Sequence, residues 1–232
     1  MWLLLVLACP GDPSSASCDD LPTAPRLAAC FGSETLDWNG YGTAALAVDG
    51  EIVSVERGPF PAACDVRFSG EGGGDATIVV VEAGDGSRTT VGVDVAEAAG
   101  RFTVGEQVQL DVSYTFGEFG PDTAWVEVRD GAGEDLLVVA TAGEVAGLRV
   151  PAGVTATEGE ALCTAHDECG DWSAFPLDVA VGGEDVVVGY GATASVGGWT
   201  VAHGGLERQA ESDGGSCPDW FVAHVAAAFV RD

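Results

Sequence analysis

The 232-residue sequence predicts an all-β fold, an antiparallel β-sandwich architecture with disulfides, and three observations carry that prediction. Apolar residues alternate with polar ones at a period of two, Asp-Gly and Gly-Gly pairs interrupt these runs at hairpin spacing, and helical periodicity is nearly missing. Gly at 34 positions with 47% hydrophobic residues describes a folded chain rich in turns, not a disordered or collagenous one. The length can bury a substantial core in one or two units.

Residues 1–8 form an apolar run, Met1-Trp2-Leu3-Leu4-Leu5-Val6-Leu7-Ala8, that ends at Cys9. It reads as a truncated signal peptide without a basic n-region, which would place the true start upstream. Val6-Leu7-Ala8-Cys9 resembles the bacterial lipobox, and that resemblance implies cleavage before Cys9, acylation of its thiol and attachment to a membrane. Residues 9–33 then read as the lipidated cysteine and a tether, with Pro10, Pro13 and a run of small polar residues at its start. No run approaches the ~20 apolar residues of a spanning helix, so membrane contact is expected through lipid alone.

From Thr43 onward the pattern is β. Asp49-Gly50 between Ala44–Val48 and Glu51–Glu56, and Asp85-Gly86 between Ile78–Glu82 and Thr89–Val95, are expected as hairpin turns, because both dipeptides suit positive φ. Ala76–Glu82 and Asp185–Gly189 are continuous apolar runs, expected as strands covered on both faces. In Gln107–Phe116, Val108, Leu110, Val112, Tyr114 and Phe116 alternate with polar or small residues, so one face is buried and the other wet. Phe175, Leu177, Val179 and Val181 alternate likewise, with Pro176 arguing for an edge or a bulge, and Gly182-Gly183 reads as the next turn. Trp220–Val230 admits both periods and is taken as a strand. Roughly a dozen strands exceed one sandwich, so two units are expected: a β-sandwich over 34–150 and a smaller disulfide-bonded β unit over 151–232, with Val150–Gly159 as the linker.

Asp and Glu number 37 against nine Arg and no Lys, a net charge of −28. Such a surface disfavours nucleic acid and anionic lipid, and suits a solvated exterior in salty surroundings. The seven cysteines leave one over once pairs are formed. If Cys9 carries lipid, Cys18, Cys30, Cys64, Cys163, Cys169 and Cys217 form three disulfides, which suits an oxidising compartment. Fifteen connectivities are open. Cys163 and Cys169 suggest a pair by proximity, in competition with bridges to Cys217.

Few constellations carry chemistry. His166, His203 and His224 are the only histidines, and with a carboxylate they could form an open zinc site; His203 and His224 are the metal candidates, although each lies four residues after a tryptophan and packing against it is the plainer role. Gly189-Tyr190-Gly191-Ala192-Thr193-Ala194 matches a dinucleotide fingerprint whose required helix is missing. No GxSxG elbow occurs, and no carboxylate pair is singled out by an apolar setting. Gly70–Asp75 and Asp130–Asp135 put carboxylates beside glycines, so weak Ca2+ binding is the one cofactor expectation and no catalytic residue is assigned.

The reading is therefore a non-catalytic lipoprotein of the bacterial cell envelope, at the outer membrane or facing the periplasm, displaying a β-sandwich that binds a protein or glycan or serves structurally. The body's composition resembles small acidic, Cys-containing lipoproteins of myxobacteria. A secreted hydrolase using metal or a carboxylate pair, and a carbohydrate-binding module presenting Trp38, Tyr41, Trp172 or Tyr190 on a sheet face, are the alternatives.

Overall fold

The computed structural model describes residues 27–35, 42–64, 66–68, 75–117, 120–167, 170–211 and 220–232. They form strands β1 (Ala28–Ser33), β2 (Gly42–Gly58), β3 (Val66–Phe68), β4 (Ala76–Ala83), β5 (Arg88–Asp94), β6 (Gln107–Gly117), β7 (Gly120–Asp130) and β8 (Asp135–Ala142). The chain continues through β9 (Val154–Glu158), β10 (Cys163–Asp167), β11 (Gly170–Ala174), β12 (Leu177–Val181), β13 (Glu184–Val188), β14 (Thr193–Val196), β15 (Trp199–Glu211) and β16 (Trp220–Arg231). Two short 3-10 turns, Ala96–Gly100 and Val145–Gly147, are the only helical elements among the described residues. The fold is all-β and every strand pairing is antiparallel.

Eleven strands join in one sheet, in the order β14-β15-β16-β8-β7-β6-β2-β4-β5-β1-β3. The 17-residue β2 is the corner. Its first part, Gly42–Glu51, pairs with β6, and its second part, Gly50–Gly58, pairs with β4. Asp49-Gly50 therefore lies inside a strand, where a hairpin turn is expected from sequence. The reason is steric: a Cβ on Gly50 would sit 2.4 Å from the Glu82 carbonyl oxygen, so only glycine lets the two backbones approach here. A bulge between Ile52 and Ser54 completes the bend.

The sheet closes over one core. Rows of inward residues such as Val48, Leu110, Val128, Leu137 and Val230 meet Ile52, Val79, Val81, Val91, Val93 and Phe31 from the β2–β4–β5–β1 side. β1 accordingly reaches β7 across the interior. Residues 28–33, expected within the tether, are this buried strand, since Ala28-Ala29-Cys30-Phe31 is small and apolar enough to be enclosed completely.

A second core lies on the other face of β8, β16 and β15, beneath the three-stranded sheet β13-β12-β9. β8 is buried along its whole length because both of its faces are used: Leu137 and Val139 enter the first core, Val138, Ala140 and Ala142 the second. β16 divides in the same way, Ala228 and Val230 against Ala227 and Phe229. The two packed units thus share a wall that contains strands from both sides of residue 150, and the expected linker Val150–Gly159 itself supplies β9.

The strands covered on both faces are therefore β8 and β16 rather than Ala76–Glu82 and Asp185–Gly189. β4 turns Ile78, Val80 and Glu82 outward, and β13 is an edge strand that leaves Val187 63% exposed. Pro176 directly precedes β12, the middle strand of its sheet, so the missing N–H costs no ladder bond. The Asp85-Gly86 and Gly182-Gly183 turns form as expected, with φ +85° at Gly86 and +60° and +92° at the glycine pair.

Candidate functional site

Cys30 and Cys64 are joined by a disulfide with a Cα–Cα distance of 5.4 Å, and both are buried. Cys30 sits in β1 opposite Gly92 of β5, and Cys64 ends the turn that follows β2. A Cβ on Gly92 would lie 2.8 Å from the Cys30 sulfur and 2.7 Å from the Phe60 ring, so glycine makes the space in which the bridge and its aromatic cover pack. Cys163 stands in β10 opposite Ala174. Cys9, Cys18, Cys169 and Cys217 lie outside the described residues, as does Trp38.

The three histidines occupy different strands. His166 is in β10 opposite Asp171, and His224 is in β16 opposite Glu207. His203, in β15 opposite Ala227, is fully buried. Its Nε2 lies 2.9 Å from the Phe175 carbonyl oxygen and its Nδ1 3.3 Å from that of Ala226. Both nitrogens, the atoms that would hold a metal, face backbone carbonyls. The ring stacks on Phe175 and meets Tyr190 edge-on. Burial pushes the imidazole below its ordinary value, opposed by the carbonyls of Phe175 and Ala226.

One ionic cluster escapes sequence reading. On the outward face of β6 and β7, Asp111 pairs with Arg129, and Glu127, only 3% exposed, receives two bonds from Arg149, 2.9 Å from Nε and 2.5 Å from Nη2. Arg149 also lies over the Trp125 ring at 5.9 Å. The buried Asp135 accepts the Ala152 N–H at 2.7 Å. Burial raises the Glu127 carboxyl above its ordinary value; Arg149 opposes this and the Asp135 side chain adds to it.

Glu127 and Asp135 together pin the 143–153 segment, which roofs the second core, to the sheet. Asp111, Glu127 and Arg129 share a face by the period of two, a signal the sequence does contain. Arg149 joins them only through the return of a distant segment.

The acidic turn Asp130–Asp135 spreads its carboxylates over separate tasks. Asp130 Oδ1 accepts the Ala132 and Glu134 N–H groups, Glu134 pairs with Arg231 at 3.2 Å, and Asp135 turns inward. Of Gly70–Asp75 only Asp75 is described, and it is exposed. Among the described residues no three His, Cys, Asp or Glu side chains group as a metal would require. The segment 189–194 is a turn with Gly191 at φ +69° that leads into β14, where a dinucleotide site needs a helix. Trp199 lies under Arg231, 5.5 Å from its guanidinium, so both Trp125 and Trp199 offer their faces to arginine.

No protein-family model, no curated protein and no solved structure matches this chain.

Proposed function

We propose that the chain is a lipid-anchored protein of the bacterial envelope, held through Cys9, whose β-sandwich body acts by binding or as a structural part and performs no catalysis. The Cys30–Cys64 bridge carries the reading, since a buried structural disulfide suits an exported protein. The lipobox-like Val6-Leu7-Ala8-Cys9 supports it, and so does the engagement of the buried Glu127, Asp135 and His203 with neighbouring chain segments. The body carries net charge −28, so it has little affinity of its own for an anionic bilayer.

Detergent phase partitioning tests the proposal in a bacterium that expresses the chain behind an added basic n-region. The wild type is expected in the detergent phase and Cys9→Ser in the aqueous phase, because the two or three acyl chains of a bacterial lipoprotein, at about 0.8 kcal/mol per buried methylene, hold what a single chain would not. A wild type found in the aqueous phase, or a variant that stays with detergent, overturns it.

A further inference from the structure

The order of the large sheet sets the path of the segment that leaves β2. β2 and β3 follow one another in sequence, yet β4, β5 and β1 lie between them in the sheet. The chain must therefore cross three strands, a distance of about 19 Å at ~4.8 Å per strand spacing, and the residue steps from Gly58 to Val66 reach at most about 29 Å. It crosses with little slack. Val91 and Val93 of β5 and Ala29 and Phe31 of β1 point into the first core, so Gly92 and Cys30 point to the outer face. Phe60 and Cys64 meet the sheet there. The Phe60 ring and the Cys30 sulfur come to 2.7 Å and 2.8 Å from the place a Gly92 Cβ would take, so ring and sulfur lie side by side on one glycine. Cys30 and Cys64 are 0% and 3% exposed, whereas Pro59, Ala62 and Ala63 in the same crossing are open to solvent. Within the crossing the Cys64 N–H donates to the Pro61 carbonyl at 3.0 Å, and Pro59 and Pro61 have no N–H to give to a ladder.

We infer that residues 59–64 form a redox-released strap, buckled across β4, β5 and β1 by the Cys30–Cys64 bridge, with Phe60 as the cover that keeps thiols from the buckle. The pairings of β4 with β5 and of β5 with β1 do not pass through the strap, so the sheet beneath it stays folded when the strap lifts. A dithiol supplies the chemistry. Its thiolate attacks one bridge sulfur and forms a mixed disulfide while the other cysteine leaves as a thiolate, and its second thiol then closes on the mixed disulfide and expels the remaining cysteine. The bridge gains two electrons and the dithiol becomes a cyclic disulfide. The attacking sulfur needs an approach that the Phe60 ring occupies, so opening precedes reduction. The inference stands on the bridge and the sheet order and is independent of the anchor at Cys9.

Reduction of the oxidised full-length chain by dithiothreitol, quenched by alkylation at intervals, reads the cover. Trypsin places Cys30 on fragment 27–57 and Cys64 on fragment 58–67, apart from the other cysteines. In Phe60→Ala both are expected to become alkylatable about tenfold faster than in the wild type, because the ring's burial no longer opposes opening; Phe60→Leu, which restores an apolar cover, is expected to return most of the protection. Urea below the unfolding transition is expected to change the wild-type rate little, since lifting six residues exposes little surface. After reduction the far-UV spectrum is expected to stay that of a β protein, while elastase now cuts at Ala62–Ala63 far faster than in the oxidised chain. Equal rates in the wild type and Phe60→Ala overturn the cover. A rate that climbs with urea as steeply as global unfolding, a reduced protein that loses its β spectrum, or elastase cutting that ignores the bridge overturns the strap.

Discussion

At the scale of single residues, two positions decide local structure. Gly50 sits where β2 changes partner, and Gly50→Ala would press a methyl group against the Glu82 carbonyl and the Val81 side chain. Such overpacking costs about 1–3 kcal/mol. Gly84→Ala, with nothing within 4 Å of the new atom, is expected to leave stability unchanged, and urea unfolding of the two variants provides the comparison.

His203 decides how the region before β12 joins the wall. A neutral ring donates from one nitrogen only, and burial holds the imidazole of the folded state below its ordinary value of 6.5. The unfolded chain therefore binds the proton first, so this group's contribution to stability is present above pH 6.5 and is lost as pH falls through it, with a limiting slope of about 1.4 kcal/mol per pH unit. His203→Gln keeps a donor for the Phe175 carbonyl and does not titrate. Its stability between pH 7.5 and 5 is expected to fall less steeply than that of the wild type; equal slopes in parallel urea titrations would rule the effect out.

At the scale of elements, the shared wall explains why β8 and β16 tolerate no polar face. Leu137→Ala, in the first core, is expected to cost about 2–5 kcal/mol, and Phe229→Ala, in the second, about 3–5 kcal/mol. Val187→Ala, on the exposed edge of β13, is expected to stay within about 0.5 kcal/mol of the wild type. Denaturant midpoints order the three, and a Phe229→Ala protein as stable as Val187→Ala would contradict the placement of β16 between two cores. The β6 strand and the Asp85-Gly86 and Gly182-Gly183 turns were legible in the sequence, because alternation and positive-φ residues are local signals. The Asp49-Gly50 bend was not. The same dipeptide serves a turn or a close backbone approach, and only the neighbouring β4 distinguishes them.

At the scale of the whole molecule, Arg88, Arg129, Arg149 and Arg231 are each held by a nearby carboxylate, which leaves a large excess of negative charge on the surface. Self-repulsion is screened over a Debye length that falls from about 30 Å at 0.01 M salt to about 8 Å at 0.15 M. Raising NaCl from 10 to 150 mM is therefore expected to raise Tm, by about 2–4 °C for each kcal/mol of repulsion relieved. A Tm that falls with salt over this range would mean that the surface ion pairs outweigh the repulsion.

What the sequence determined by itself is the β class, most of the turns, the one-sided burial of β6 and the sign of the surface, since each follows from residues adjacent along the chain. Tertiary structure alone decided that β8 and β16 form a wall between two cores, that Cys30 meets Cys64, that Arg149 returns to Glu127 and that His203 lies between the carbonyls of Phe175 and Ala226. Those contacts join segments 22 to 34 residues apart or more distant still in their pairing, and the free energy that selects them comes from burying surfaces that no local window contains.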